Sequence, residues 1–216
     1  MEKTQINTKT KKTKLLIVGA GGHARSCIDV IHASNRFTIQ GLIGLGNQMG
    51  QTVLGYPVIG TDNDLELYRS NCEYAFIGIG QIKTASVRQN LYGNLRALGY
   101  TFPIFISSKA YVSSFASLCN GTIVMPGAVI GAGANVGENS IINSQALVEH
   151  NTFIGDHCHI STGARINGNV DVGKGSFIGS GAILREGVRI GENSVIGAGQ
   201  VILKDVPVGS VIRGPL

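Results

Sequence analysis

Three closely spaced histidines are the side chains of this sequence best suited to acid–base chemistry. His150, His157 and His159 lie in the stretch VEHNTFIGDHCHI, residues 148–160. A histidine titrates near neutral pH, so it can take a proton from an attacking nucleophile. Metal binding is a weaker interpretation, because spacings of seven and two residues match no standard zinc pattern. A plain surface role for His150 and a half-buried structural role for the other two remain open.

A glycine-rich turn near the start of the chain is a second candidate for binding chemistry. The apolar run KLLIV at 14–18 is followed by GAGGHAR at 19–25 and by the helical pattern SCIDVIHAS at 26–34. A strand, a glycine turn and a helix in this order present free backbone N–H groups at a helix N-terminus, where a phosphate or nucleotide can bind. A tight turn without a ligand is the alternative.

The composition favours tightly turned β structure over a helix bundle. The 216 residues include 31 glycines, 43% are apolar and only 14% are charged. No apolar run reaches the roughly 18 residues of a membrane helix. The cysteines form no CxxC motif, so we predict reduced thiols in a cytoplasmic protein. They are Cys27, Cys72, Cys119 and Cys158.

A basic leader over residues 1–13 contributes to the net charge of +5. Five lysines fall within the first fourteen residues, and no aromatic residue is interleaved with them. A polar, charged tail cannot bury a core, so we predict a disordered leader that binds no nucleic acid. The lysines are Lys3, Lys9, Lys11, Lys12 and Lys14.

The second half of the chain repeats every six residues. From Tyr111 to Val206, sixteen hexads follow without a slip, and the second residue of each is aliphatic, from Val112 to Ile202. A period of six fits neither a helix nor a simple alternating strand. Short strands that each point one aliphatic side chain inward, joined by Gly or Asn turns, stack into coils with a continuous core. We therefore predict a parallel β-helix with three hexads per coil over residues 109–216.

Residues 14–108 alternate between extended and helical patterns. This alternation predicts a small α/β domain with a Rossmann-like parallel sheet. The extended patterns are at 14–18, 38–45, 75–80 and 101–106, with a short extended segment in 53–60. The helical patterns follow at 26–34, from the Thr61–Asp64 cap to Ser70, and at 83–98, where Gly99 ends the helix.

Four motifs occur together here: GAGGHAR at 19–25, LGYPVIG at 54–60, AFIGIG at 75–80 and VEHNTFIGDHCHISTGARINGNVDVG at 148–173. The combination resembles the bacterial sugar O-acyltransferase family of hexapeptide-repeat acetyltransferases, which includes sialic acid O-acetyltransferases. It is particularly similar to members that N-acetylate UDP-4-amino sugars of the UDP-N-acetylbacillosamine type. The resemblance covers residues 14–216 and implies a left-handed β-helix.

The resemblance also implies roles for individual residues. His150 would be the catalytic base, with Asn151 beside it, and His159 would contact the acetyl end of acetyl-CoA. The nucleotide part of the sugar substrate would be held by Gly21, Gly22 and His23. The acetyl-CoA groove would also be lined by Gly168 and Gly197, and Lys204 is a candidate for binding a coenzyme phosphate. The family resemblance further implies a homotrimer with active sites between subunits, acetyl-CoA as co-substrate and no metal.

Two positions depart from the family pattern. Asn151 stands where a carboxylate usually follows the catalytic histidine, so the residue can hydrogen-bond but supplies no charge. The segment 41–45, GLIGL, lacks the acidic pair that usually follows the second strand. The first departure bears on the strength of the catalytic base, and the second weakens the implied nucleotide contacts.

The resemblance leads to one main functional prediction and two alternatives. The main prediction is an acetyl-CoA-dependent N-acetyltransferase that acetylates the amine of a nucleotide-linked 4-amino-4,6-dideoxy sugar for surface glycan biosynthesis. The amine would attack the thioester directly, with His150 as general base. The alternatives are an O-acetyltransferase on sialic acid or a related sugar, and a non-catalytic β-helix protein for sugar-nucleotide binding or assembly. Nothing in the sequence names the sugar or the nucleotide.

Overall fold

The computed structural model describes residues 12–214, and its first part is a five-stranded sheet flanked by helices. The strands are β1 Thr13–Val18, β2 Phe37–Ile43, β3 Thr52–Val53, β4 Tyr56–Gly60 and β5 Tyr74–Ile77. The helices are α1 Gly22–Ser34, α2 Leu65–Arg69 and α3 Ser86–Ala97, with 3-10 turns at Gly46–Gln48 and Asp62–Asp64. Residues 1–11 of the predicted leader lie outside the described residues.

The sheet has the order β3-β4-β2-β1-β5. Its pairs are parallel except for the edge hairpin between β3 and β4. Leu54 and Gly55 form the hairpin turn with φ of 51° and 84°, the left-handed backbone that a two-residue hairpin requires. The predicted parallel sheet is therefore present, with one antiparallel strand added where the sequence suggested only a turn into an extended segment.

The extended pattern predicted over 101–106 divides between two sheets. Thr101 bridges to Tyr74 at the edge of the first sheet, whereas Phe105–Ile106 pairs with Ile123–Val124 in the second half of the molecule. The partners are eighteen residues apart because three hexads make one coil. The repeat thus begins one hexad before Tyr111.

The remainder is a left-handed β-helix of three parallel sheets, here called the first, second and third faces. The first face contains β6 Phe105–Ile106, β9 Ile123–Val124, β12 Ile141–Ile142, β15 His159–Ile160, β18 Phe177–Ile178, β21 Val195–Ile196 and β23 Val211–Ile212. The second contains β7 Tyr111–Val112, β10 Val129–Ile130, β13 Leu147–Val148, β16 Arg165–Ile166, β19 Ile183–Leu184 and β22 Val201–Ile202. The third contains β8 Ser117–Leu118, β11 Asn135–Val136, β14 Phe153–Ile154, β17 Asp171–Val172 and β20 Arg189–Ile190.

The aliphatic second residue of each hexad forms the core of the β-helix, as predicted. From Val124 to Ile202 these side chains are at most 5% exposed, whereas Val112 and Leu118 at the open end are only partly buried. The fifth residue of each hexad has a positive φ from Gly121 to Gly199. Glycine and asparagine adopt that backbone most readily, which explains their repetition in the sequence.

Helix α1 joins the two parts of the molecule through a shared core. Its Cys27 and Ile31 belong to the same buried cluster as Phe105, Ile123 and Ile141 of the first face. Burial of these side chains fixes α1 against the β-helix. The N-terminus of α1 is thereby held beside the first face.

Candidate active site

The glycine turn between β1 and α1 leaves a helix N-terminus open. Gly19 has a φ of +115°, and a Cβ there would lie 2.6 Å from Cγ1 of Ile79. Gly21 is the N-cap of α1 and makes no side-chain cap. The first N–H groups of α1 are therefore available to an anion.

A cavity of about 330 Å³, here called the turn cavity, opens beside this turn. Its wall is mostly glycine and aliphatic side chains, and the polar side chains His23, Gln48 and Asp62 reach it. All three residues predicted to bind substrate line the turn cavity, namely Gly21, Gly22 and His23. Such a cavity, apolar with a few polar groups, is typical of a small-molecule site.

A second cavity of about 490 Å³, here called the coil groove, runs along the first face. His159, Phe177 and Val195 of successive first-face strands form its floor. The loop 81–83 forms the opposite wall, and the turns that follow the first-face strands form the rim. We call that edge of the β-helix the first corner. Gly197, predicted to bind acetyl-CoA, lies on it.

His159 is buried at the upper end of the coil groove, with 6% of its surface exposed. Oδ1 of Asn143 accepts the N–H of Ser144 at 2.8 Å, which turns the amide nitrogen of Asn143 toward Nε2 of His159, 3.2 Å away. Nε2 is then the acceptor, so the ring proton is on Nδ1 and is donated to the Gln81 carbonyl at 3.0 Å. Burial, with His23 and Arg88 nearby, lowers the pKa of His159 to about 3, so the ring is neutral.

The two cavities adjoin at a pair of imidazole rings. The centroids of His23 and His159 are 5.9 Å apart, and both rings lie beside Gly80, where an added Cβ would be 3.5 Å from His23. Burial, reinforced by the charge of Arg88, lowers the pKa of His23 to about 4. Nε2 of His23 is buried and has no hydrogen-bond partner within residues 12–214. It is therefore free to bond a ligand.

His150 lies on a different edge of the β-helix. It is exposed in the turn after β13, and we call the edge formed by the turns after the second-face strands the second corner. Its ring rests on Gly168 of the next coil, where a Cβ would lie 2.5 Å from Cε1 of His150. Nδ2 of Asn151 is 3.5 Å from Nδ1 of His150. The second corner also carries Lys204, which is exposed.

The predicted site residues thus fall into three groups within one chain. The turn cavity has its three residues, and the coil groove has His159 and Gly197 on the first corner. His150, Gly168 and Lys204 share the second corner, at the opposite end of the second-face strands. A single chain does not bring His150 into the coil groove.

His157 has a structural role, as the sequence left open. It occupies a positive-φ turn position with a φ of 59°. Its Nδ1 is 2.9 Å from Nδ2 of Asn139, and its ring lies edge-on to Tyr92. Burial, followed by the charge of Arg88, lowers its pKa to about 4.

Sequence reasoning missed three polar residues around His159, which are Gln81, Arg88 and Asn143. Arg88 carried a signal that could have been read. It stands at the first position of the stripe that α3 buries, followed by Leu91, Tyr92 and Leu95. A charged residue in an apolar stripe indicates a buried charge with a specific role.

The remaining features of residues 12–214 concern metal sites, membrane helices and a further cavity. No group of three His, Cys, Asp or Glu side chains between residues 12 and 214 is placed to hold a metal ion. No helix in that range is long and apolar enough to span a membrane. A depression of about 740 Å³ on the third face contains none of the predicted site residues.

Family models match both halves of the chain. The PglD N-terminal domain matches residues 14–95. The bacterial transferase hexapeptide of six repeats matches residues 151–186, and the hexapeptide repeat of succinyl-transferase matches residues 169–204. Comparison with curated proteins gave no match.

Solved structures match nearly the whole chain. A histidine-to-asparagine variant of perosamine N-acetyltransferase from Caulobacter crescentus, in complex with CoA and GDP-perosamine, is 32% identical with a TM-score of 0.88, and the match covers 93% of each chain. The acetyltransferase domain of PglB from Neisseria gonorrhoeae, in complex with acetyl coenzyme A, is 31% identical with a TM-score of 0.86, covering 94% of this chain and 97% of that one. WeeI from Acinetobacter baumannii, at 23% identity and a TM-score of 0.82, shares the fold.

These matches agree with the two-part fold. The identity exceeds 30% over more than nine tenths of the chain for the Caulobacter and Neisseria proteins. The chain therefore belongs to the bacterial family of hexapeptide-repeat acetyltransferases with a PglD-type N-terminal domain, and it is an acetyl-CoA-dependent acyltransferase.

Proposed function

We propose that this protein transfers the acetyl group of acetyl-CoA to the amine of a nucleotide-linked 4-amino-4,6-dideoxy sugar used in surface glycan biosynthesis. The observation that carries the proposal is the meeting of the turn cavity and the coil groove at His23 and His159, whose ring centroids are 5.9 Å apart. A ligand in each cavity would place its end at this junction. Reaction between two bound ligands requires such proximity.

The turn cavity suits the nucleotide sugar. A diphosphate would accept hydrogen bonds from the open N-terminus of α1 at Gly21 and Gly22. The sugar would then extend toward His23, whose unpartnered Nε2 can bond it. The Caulobacter protein that this chain resembles was solved with GDP-perosamine, a ligand of this chemical class.

The coil groove suits the arm of acetyl-CoA. Its floor of Phe177 and Val195 is apolar, which fits the thin arm of the coenzyme better than a polar sugar. The acetyl end would lie beside His159. The PglB domain of Neisseria was solved with acetyl coenzyme A.

A homotrimer would complete the site. Apolar side chains of the second face point outward and are exposed or half-exposed: Tyr111, Val129, Leu147, Ile183 and Val201. Packing this face around a threefold axis would bury them and close the ring. The second corner of one chain would then face the first corner of the next. His150 and Lys204 would thereby reach the neighbour's coil groove.

In the proposed reaction, the sugar amine attacks the acetyl carbonyl carbon of the thioester. His150 takes the proton that the amine loses, the C–S bond breaks, and the same proton passes from His150 to the departing sulfur, so that coenzyme A leaves as its thiol. The Gly168 N–H donates to no backbone carbonyl within residues 12–214, so it is available to the oxyanion. Nε2 of His159 carries no hydrogen in the arrangement described, so we place its ring beside the acetyl group rather than as the oxyanion donor.

Asn151 would orient the base. With its amide oxygen turned toward His150, it would accept the Nδ1–H and leave Nε2 free to take the proton. The four cysteines are free thiols, which fits the reducing cytoplasm. We therefore also propose a cytoplasmic location.

An acceptor panel tests the function. The protein is mixed with acetyl-CoA and UDP-, GDP- or dTDP-linked 4-amino sugars, and thiol release is followed. We expect release with at least one amino sugar and none with its 4-hydroxy counterpart. Release with hydroxyl acceptors alone would establish the O-acetyltransferase alternative, and no release with any amino sugar would contradict the proposed function.

Replacement of His150 tests the base. We expect His150→Ala to lower kcat by about 10²–10⁴-fold, the usual contribution of a general base. KM for acetyl-CoA should change little, because the floor and the wall of the coil groove do not include His150. The control is His32→Ala, which removes another exposed histidine far along α1. Full activity of His150→Ala on every acceptor would exclude the proposed role.

A further inference from the structure

Arg88 is a buried cation without an acidic partner. Its side chain on α3 is 2% exposed, and no carboxylate within residues 12–214 forms an ion pair with it. Burial lowers its pKa to about 10, so it stays charged at neutral pH. Removing a guanidinium from water is costly unless specific hydrogen bonds compensate for it.

The hydrogen bonds of Arg88 go to neutral groups on both halves of the molecule. Nη1 donates to Oε1 of Gln81 at 3.3 Å and to the carbonyl of His157 at 3.3 Å. Nη2 donates to the carbonyl of Asn139 and to its Oδ1, the latter at 3.2 Å. The backbone carbonyl of Arg88 in turn accepts from Nδ2 of Asn139 at 3.3 Å. Nε has no partner.

Gln81 connects Arg88 to the coil groove. Its side chain is held at both ends, because Oε1 accepts from Arg88 and Nε2 donates to the Gly175 carbonyl at 2.8 Å. Its backbone carbonyl and N–H both face Nδ1 of His159, at 3.0 and 3.2 Å. A movement of the Gln81 backbone would therefore change which of the two groups Nδ1 meets. The carbonyl requires a proton on Nδ1, and the N–H requires a bare Nδ1.

We propose that Arg88 is a positioning residue that sets the orientation and the tautomer of His159 through Gln81. It anchors Gln81 so that the Gln81 carbonyl holds the Nδ1 proton, while Asn143 occupies Nε2. The inference rests on the proposed function only in identifying acetyl-CoA as the ligand beside His159.

Charge adds to the effect of geometry. The groups that bear on the His159 ring are His23, itself neutral, and the Arg88 guanidinium, and both disfavour a second positive charge there. A neutral His159 has no proton to give to the incoming amine. It also does not repel a positively charged amine, as an imidazolium would. Loss of Arg88 would remove this electrostatic constraint together with the anchor.

The test uses the full-length protein labelled with ¹⁵N-histidine. Wild type, Arg88→Met and Arg88→Lys are compared, and the His159 signals are assigned by their loss in His159→Gln. Two-bond couplings between the ¹⁵N ring nitrogens and the hydrogens on the ring carbons identify the tautomer between pH 6 and pH 8. The control is Arg96→Met, which removes a cation from the same helix. The side chain of Arg96 is 70% exposed and forms an ion pair with Glu138 at 3.6 Å.

We expect wild type and Arg96→Met to show one Nδ1–H tautomer that does not titrate over this range. Arg88→Met should show mixed tautomers and a His159 that begins to protonate at the acidic end. Its kcat should fall about 10- to 100-fold, with a smaller change in KM for acetyl-CoA. Arg88→Lys should recover part of the tautomer preference and part of kcat. A lysine ammonium can still reach Gln81, but it cannot make the several hydrogen bonds of the planar guanidinium.

An Arg88→Met protein with the wild-type tautomer and wild-type kcat would overturn the proposal. If that variant does not fold, Gln81→Met breaks the same link from the other end, and unchanged His159 signals in it would be equally decisive. The tautomer is read without any acceptor. A wild-type protein with the expected signals but no acetyl transfer would therefore refute the proposed function alone.

Discussion

The backbone conformation at position 151 favours asparagine. The sequence marked it as a departure from the family, because a carboxylate usually follows the catalytic histidine. In the structure its φ is 56°, and the equivalent turn position in other coils is glycine, asparagine, glutamine or histidine. Asparagine tolerates this left-handed backbone better than most residues. Its amide also lies next to His150, so backbone and proposed chemistry both favour it.

Asn151→Gly separates these two roles. Glycine keeps the turn, so we expect no loss of thermal stability, whereas Asn151→Val should cost about 1–2 kcal/mol. If the amide orients His150, kcat of the glycine variant should fall roughly tenfold or more. The measurements are thermal unfolding and steady-state kinetics. Wild-type kcat in Asn151→Gly would assign the residue to the turn alone.

Three histidines with lowered pKa values should make the protein sensitive to acid. Burial first, and neighbouring groups second, lower the pKa of His23 and of His157 to about 4 and that of His159 to about 3. All three pKa values lie below the unfolded value of about 6.5. The unfolded chain therefore binds more protons below pH 6.5, and stability is lost as the pH falls from there toward 4.

The expected slope is at most about 1.4 kcal/mol per pH unit for each of the two buried rings, His23 and His159, and smaller for the half-buried His157. Urea unfolding at fixed protomer concentration and at pH 7, 6, 5.5 and 5 measures it. His159→Gln should remove the contribution of one buried ring and leave those of His23 and His157. A free energy of unfolding that stays level from pH 7 to pH 5 would contradict the neutral state of these rings in the folded protein.

At the scale of the element, the β-helix depends on glycines where adjacent coils touch. An added Cβ at Gly179 would lie 2.5 Å from the backbone N of Ala198 in the next coil. The backbone of the next coil cannot move away from an added Cβ as the end of a flexible side chain can. The glycine is therefore required by stacking at this third hexad position, and not by φ.

Gly179→Ala should destabilise the protein by about 1–3 kcal/mol, the usual penalty of overpacking. The matched control is Gly93→Ala in α3, where an added Cβ meets nothing within 4 Å. That change should stabilise the helix by about 0.5–1 kcal/mol. Chemical denaturation compares the two. Equal effects of the two substitutions would show that coil stacking is looser than described.

At the scale of the whole molecule, the proposed role of His150 implies a second chain in the site, because His150 is separated from the coil groove of its own chain. His150 lies on the second corner, whereas Ser180 and Gly197 lie on the first. The second face, whose outward side chains are apolar apart from the exposed Arg165, runs between these corners. A threefold arrangement around that face brings unlike corners together, so each site would take its base from one chain and its groove from another.

Mixed trimers test this arrangement. His150→Ala removes the base, and Ser180→Trp should block the coil groove. Each variant alone should be nearly inactive. Trimers reassembled from equal amounts should regain about a quarter of wild-type activity, because half of the chains supply an intact base and, independently, half supply an intact groove. No recovery in mixed trimers would show that each site belongs to a single chain.

Size measurement provides the companion experiment. Val129→Glu with Ile183→Glu should yield monomers by light scattering, because charges on the second face oppose its burial. Phe153→Glu changes an apolar residue on the third face that is 50% exposed, more than Val129 or Ile183, and should leave the trimer intact.

Much of this molecule follows from sequence-local rules. The period of six determined the β-helix and its aliphatic core, because each coil contacts only its neighbours and every hexad obeys the same geometry. The glycine turn before α1 was visible for the same reason, since its requirement is local. The motif around His150 and the family resemblance then indicated the reaction. The limits of α3 and the end of the helix at Gly99 were also predicted closely.

Only the tertiary structure decided where these parts meet. The sequence could not show that His159 faces the Gly80–Gln81 segment, or that Arg88 bridges from α3 to the turns at Asn139 and His157, because those contacts join residues 51 to 78 positions apart. It also could not place His150 and the coil groove on opposite corners, since the hexad pattern is the same on all three faces. Local periodicity determines what each coil is, whereas the packing of α1 on the first face and of α3 on the turns at Asn139 and His157 determines which coil becomes the site.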